Sequence, residues 1–308
     1  MSEKDNLQNA INLLMNGKRK EAAAELLNLN SKIMDKNLRI QLIDASLSAL
    51  DPVKEGERLI ELSGEGIKIA RDYDKKDLQA HFMSRRADFL MTKVTFLQYK
   101  RQNLKLAPGW IEFSTEADKQ EYEKLTAQVE KFEGEVNDLL AQAIVLAEQS
   151  GNKNVLGRVL MAKGSVESSC YLQYKTECMR GNIRTKLWLK FEFLRYPPFE
   201  HTIIFSWKNA QKLQSFIDTF TENFLRAAQI FEESEDSTAG YAYHNLANDL
   251  KTAYRFREAR RYLEKAKSVA VKHNDPLLKK QVEMLEKAIK AKNRDIPDYL
   301  SGETRESD

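Results

Sequence analysis

Apolar residues recur every three or four positions along most of this chain. Tyr122, Leu125, Val129, Phe132, Val136, Leu139, Ala143 and Leu146 keep a seven-residue rhythm. Met83, Ala87, Leu90, Val94, Leu97 and Leu104 repeat it, with one gap at Arg101. A helix turns once in about 3.6 residues, so each series forms one narrow stripe along a helix. Charged and polar residues fill the positions between. The pattern predicts an all-α chain of stacked antiparallel helical hairpins, with two long hairpins in the middle.

Helix boundaries follow from caps and breakers. A first pair is expected at about Asp5–Met15 and Lys18–Ser31, hinged at Gly17. Asn37–Leu50 follows, and Pro52 is expected to open the next helix, to about Asp72, because proline suits a first turn. Gly64 and Gly66 should weaken that helix locally. Asp77–Leu104 then climbs, and Thr115–Gln149 returns with Ser114 or Thr115 as its N-cap. Gly151 makes the next turn. Asn154–Leu194 is read as climbing again, interrupted by Gly157, Gly164 and Gly181, with a break at Met179–Asn182 dividing it if real. Ser206–Glu233 returns with Leu213, Ile217, Phe220, Phe224, Ala228 and Phe231 on one stripe. Thr238–Thr252 and Phe256–His273 form a short hairpin, and Asp275-Pro276 opens a last helix to about Lys292. These elements group as 1–75, 76–234 and 235–293, with 294–308 read as a disordered tail.

Composition narrows the class. Gly (12) and Pro (6) are scarce in 308 residues, which favours long helices over a strand-rich fold. A net charge of +3 gives no bulk polyelectrolyte drive toward nucleic acid. No apolar run approaches a membrane span, and the polar amphipathic N-terminus does not read as a signal peptide. Cys170 and Cys178 stand eight apart on one expected helix, about 12 Å in rise, too far for a disulfide. They are read as reduced thiols, and the protein as cytoplasmic.

The segment Tyr243–Ala270 resembles a tetratricopeptide repeat. Leu246-Ala247 pairs a large with a small apolar residue, and Leu250, Phe256, Ala259, Leu263 and Ala266 follow at the family's positions. Small residues let two antiparallel helices approach while large ones fill the gaps. Gly17–Ala22 with Leu26 and Leu29 resembles the second half of such a repeat, and Arg86–Leu90 echoes Leu246–Leu250. The stretches about Trp110 and Trp188 do not fit the pattern. The resemblance implies a tetratricopeptide-like superhelix with a divergent middle, a protein or peptide partner, no cofactor and no catalysis. It also implies that one side of the first helix lines a groove. Here that side carries Tyr241, His244, Asn248 and Lys251, with Asn248 a donor to a peptide carbonyl and Lys251 a match for a carboxylate. A solvated helix face is the plainer reading of the same residues.

The two connections at the tips of the long hairpins are expected at one end of the bundle. One carries Trp110, Ile111 and Phe113, the other Tyr196, Phe199, Ile203, Ile204, Phe205 and Trp207. Apolar loops are unusual. Either they pack on each other, or they form an aromatic patch for a partner, with Trp110, Phe113, Tyr196 and Phe199 as its anchors. The chemistry of an enzyme is not evident. His81, His201, His244 and His273 are scattered, and no phosphate loop, nucleophile elbow or Glu-x-x-His occurs. The reading is a protein- or peptide-binding scaffold or adaptor. Its alternative is a nucleic-acid-associated regulator using the basic and aromatic helix 174–195, where Lys175, Arg180, Arg184, Lys186, Lys190 and Arg195 flank Tyr174 and Trp188. The heptad stripes would serve a homo-oligomer equally well.

Overall fold

A computed structural model describes residues 2–104, 115–181 and 207–291. The described residues are helical, with neighbouring helices packed on one another. In chain order these are α1 (Glu3–Met15), α2 (Arg19–Leu29), α3 (Lys36–Ala49), α4 (Gly56–Asp72), α5 (Lys76–Leu104) and α6 (Glu116–Ser150). Then come α7 (Lys153–Gly181), α8 (Trp207–Glu233), α9 (Thr238–Thr252), α10 (Phe256–Lys272) and α11 (Pro276–Lys290). The chain divides into two compact units, 1–162 and 163–308. The division falls within α7.

In the first unit, Leu7, Ala10, Leu26, Leu29, Ile33, Leu42, Ala45 and Ala49 form the core of α1 to α3. Two arginines close the C-terminal end of α3. Arg19 donates to the Ala49 and Leu50 carbonyls at 2.9 Å each, and Arg85 donates to Leu47 at 2.8 Å. A cation there also opposes the negative end of the helix dipole. Pro52 does not open α4. The Asp51 carboxylate accepts from the Val53 amide at 2.8 Å, so residues 52–54 form a turn of their own and the helix starts at Gly56.

Gly64 and Gly66 prove to be contact points. A Cβ on Gly66 would lie 2.8 Å from the Phe82 ring, and one on Gly64 would lie 2.6 Å from the Arg86 guanidinium. Without side chains there, α5 can seat Phe82 and Arg86 directly on α4. Arg86 then donates to the Ile60 carbonyl at 2.9 Å and to Glu135 of α6 at 2.9 Å, linking three helices. The stripe on α5 is buried from Met83 to Leu97 while Leu104 is half-buried, and its gap is closed: Arg101 is buried, with its guanidinium over the Tyr122 ring. On α6 the expected stripe slips by one residue. Leu140 and Ala147 are buried where Leu139 and Leu146 were expected. A straight helix drifts about 20° per heptad against a strict 3.5 repeat, so the buried line moves forward.

In the second unit, α7 is continuous through Gly164, where a Cβ would lie 3.0 Å from the Phe224 ring of α8. It is likewise unbroken at Gly157. Tyr171 meets Phe220 edge-on at 6.2 Å, and Tyr174 faces Phe216 at 6.1 Å. The whole predicted stripe of α8 is buried. Ala247, Ala259, Ala266 and Ala270 are fully buried between α9 and α10. Gly240 lets α9 approach Val269 of α10 and Leu278 of α11.

One turn geometry recurs within both units. The residues Gly17, Asp74, Glu235, Tyr254 and Asn274 are left-handed, with φ between 48° and 76°. Each is followed by an amide that reaches back over the helix end, as Lys75 does to Ala70 at 2.9 Å and Asp275 to Ala270 at 3.0 Å. These are six-to-one closures that use up the last carbonyls and reverse the chain in few residues.

Candidate functional site: one face of α5

Two faces of α5 repeat at helical spacing. The apolar one is buried. The other carries His81, Arg85, Asp88, Thr92, Phe96 and Tyr99, in steps of three and four. Its lower half is fixed by α3. The His81 Nε2 lies 2.8 Å from the Asp44 carboxylate, and its ring stands edge-on to Phe82 at 5.3 Å. Arg85 donates to the Leu47 carbonyl, lies over the Phe89 ring at 5.2 Å, and reaches to 3.9 Å from Asp88.

Two carboxylates, Asp44 of α3 beside this face and Asp88 on it, have opposite character. The hydrogen bond from His81 holds the Asp44 carboxyl below its ordinary range against the cost of burial, with further help from His81, Arg85 and Arg158 of α7. Burial pushes the Asp88 carboxyl up to about 6, and Arg85 and His81 offset this only in part. Yet the Asp88 side chain keeps 36% of its surface accessible. It is surrounded by protein and still open on one side, a setting in which a cation brought from outside would favour its charged form.

Above Asp88 the face opens. Thr92 is exposed, its hydroxyl donating to the Asp88 carbonyl at 3.0 Å. Phe96 is 55% and Tyr99 36% exposed, and Lys100 stands over the Phe96 ring at 4.7 Å. The face thus grades from a hydrogen-bonded carboxylate–histidine pair, through a partly enclosed carboxyl, to exposed aromatic rings. Among the described residues no group of His, Cys, Asp and Glu is arranged to hold a metal ion.

The residues singled out on α9 sit differently. Tyr241 donates to the Asp275 carboxylate at 2.9 Å, and burial together with that bond pushes its phenol up to about 12. His244 lies against Asn245 and the Gln281 backbone of α11, and burial lowers its pKa. Asn248 and Lys251 are half-buried on the same side. Beside them, burial raises the Asp249 carboxyl to about 7, against a hydrogen bond from Ser168 and the charge of Lys251. All four residues share one side of α9, and α11 lies on its Tyr241–His244 part.

Trp110, Phe113, Tyr196 and Phe199 lie outside the described residues, as does 294–308. Of the basic helix at 174–195, the first cation is placed. Lys175 is 4% exposed, 4.0 Å from the Tyr254 ring centre, and donates to the Thr252 carbonyl at 3.0 Å. It caps the end of α9 rather than facing solvent. The open face of α5 was missed in the sequence because its residues are polar or singly aromatic. Its signal was a second three-and-four series running beside the apolar one.

No family model matches the chain, and no curated protein matches it. Among the described residues no helix is long and apolar enough to cross a membrane.

Proposed function

We propose that the protein is a peptide- or protein-binding helical scaffold of tetratricopeptide-like type, without catalysis of its own and working in the cytoplasm. The observation that carries this reading is the open face of α5, where Asp88, Thr92, Phe96 and Tyr99 line up beyond the reach of α3. Exposed aromatic rings next to a partly enclosed carboxyl offer an anchor and a directional contact, and aromatic anchors are enriched among the residues that carry most binding energy at interfaces. A preformed helix face adds little ordering entropy to the cost of association. The recurrent left-handed turns and the small residues of α9 and α10 support the repeat-like part of the reading.

The test is affinity capture from the native cell extract with the wild type and with Phe96→Ala/Tyr99→Ala, each with and without nuclease. A nuclease-resistant partner lost in the variant supports the proposal. A partner set that disappears with nuclease and ignores the variant would overturn it in favour of nucleic-acid association.

A further inference from the structure

The turn between α1 and α2 differs from the other left-handed turns in its chemistry. At Asp74, Glu235, Tyr254 and Asn274 a residue with a side chain takes the left-handed position; here it is Gly17, and Asn16 precedes it. Gly151 also has a positive φ, but it follows Ser150, which carries no side-chain amide. Asn16-Gly17 is the single Asn-Gly pair of the chain. The side-chain amide carbon of an asparagine can close a succinimide ring with the next backbone nitrogen, and glycine adds no Cβ to hinder that closure.

The pair is accessible. Met15, Asn16, Gly17 and Lys18 are all exposed. Among the described residues nothing hydrogen-bonds the Asn16 side chain. Asparagines at two other turns are held: Asn274 accepts from Lys279 at 2.9 Å, and Asn152 donates to Asp77 at 3.4 Å and accepts from the Val155 amide at 3.3 Å. The backbone at Asn16 is closed by the last turn of α1. Its amides run from Asn16 to Asn12 at 3.0 Å, from Gly17 to Leu14 at 3.1 Å and from Lys18 to Leu13 at 2.9 Å. Leu7 and Ala10, the buried residues of α1, lie before this turn, so it can open without uncovering them. Helix ends open at little cost, and opening releases the Gly17 N–H for reaction.

We propose that Asn16-Gly17 is a self-modification site, where the chain closes a succinimide that reopens to aspartate and isoaspartate and loosens the α1–α2 hairpin. The Gly17 amide gives its proton to hydroxide, and its nitrogen attacks the side-chain amide carbon of Asn16. A new carbon–nitrogen bond forms, the side-chain carbon–nitrogen bond breaks, and ammonia leaves with a proton taken from water. Water then adds to one of the two ring carbonyls. Cleavage of the new bond restores the normal backbone with an aspartate. Cleavage of the original peptide bond routes the chain through the side-chain carbon as isoaspartate. Water is the only co-reactant. Either product sets a carboxylate against the negative end of α1, whose last turn carries no basic residue. Isoaspartate also lengthens the main chain by one carbon where the Lys18 amide reaches back to Leu13. Leu7 and Ala10 share a core with Leu26 and Leu29 of α2, so the misfit passes into that hairpin. The inference is independent of the α5 face.

The experiment incubates the full chain at neutral and at mildly alkaline pH and follows its peptides by mass spectrometry, with fragmentation that separates aspartate from isoaspartate. Expected is conversion at Asn16 at least tenfold faster than at Asn152 or Asn274, faster at the higher pH, with isoaspartate among the products. Conversion no faster than at those two asparagines, or aspartate without isoaspartate, would overturn the cyclisation. Hydrogen exchange then compares aged with fresh protein, for the wild type and for Asn16→Gln, whose longer side chain disfavours ring closure while keeping the amide. The aged wild type should lose protection across α1, and aged Asn16→Gln should keep it. Equal protection in aged and fresh wild type, or the same loss in aged Asn16→Gln, would overturn the loosening of the hairpin by this site.

Discussion

Among the described residues α5 and α9 each carry a polar face beside a buried apolar one, and the two faces are covered to different extents. On α9 the side bearing Tyr241 and His244 meets α11, because α9, α10 and α11 have 15, 17 and 15 residues and match along their length. On α5 the match fails. It has 29 residues, while α3 has 14. Asp44 meets His81 and Leu47 meets Arg85, so α3, ending at Ala49, runs out near Asp88. Beyond that level Phe96 and Tyr99 have no cover from it. The difference teaches that helix length, more than residue type, decides which polar face of a hairpin stack remains available.

The largest test of this comparison concerns the packed side. Ala247 is fully buried, so Ala247→Glu places a charge where nothing can pair with it. A loss of about 4 kcal/mol or more in chemical unfolding is expected, and unchanged melting would remove the close α9–α10 packing. Phe82→Ala, at the Gly66 contact, should cost about 3–5 kcal/mol. Phe96→Ala, on the open face of the same helix, should stay within about 0.5 kcal/mol. If the two variants melted alike, the two faces of α5 would not differ as described.

The next test uses protons. The folded Asp249 carboxyl sits at about 7 against an ordinary 3.8. Between those values the folded protein keeps a proton that the unfolded chain has released, so this residue's contribution to stability falls as pH rises from about 4 to about 7. Asp249→Asn should therefore raise stability at pH 8, by at least about 1 kcal/mol, and flatten that part of the pH profile. A profile unchanged by the substitution would contradict the enclosed setting of Asp249. Tyr241→Phe removes one hydrogen bond to Asp275 and should cost about 0.5–1.5 kcal/mol in thermal unfolding.

Much of the fold was legible in the sequence. The stripes of α5, α8 and the α9–α10 hairpin are spaced by helix geometry alone, and their buried residues match the reading. Three features were not legible. Gly64 and Gly66 look like helix weakeners until the partner residues, Phe82 and Arg86, are known. Arg101 looks like a gap because burial of a guanidinium depends on a ring from another helix, Tyr122. The slip from Leu139 to Leu140 arises from the drift of a straight helix over several turns, which a strict heptad count ignores. The candidate site was legible only in its spacing. What opens it is where α3 ends relative to α5, a relation between elements that no local pattern encodes.

The central claim is that Phe96 and Tyr99 on α5 are exposed while the Tyr241–His244 part of α9 lies against α11. It is tested most directly by placing a photoreactive phenylalanine at Phe96, Tyr99 and Tyr241 in turn and irradiating in the native cell extract. The account predicts one shared intermolecular adduct from positions 96 and 99, and only links within the chain from position 241. The same partner captured from position 241, with none from 96 and 99, would contradict it.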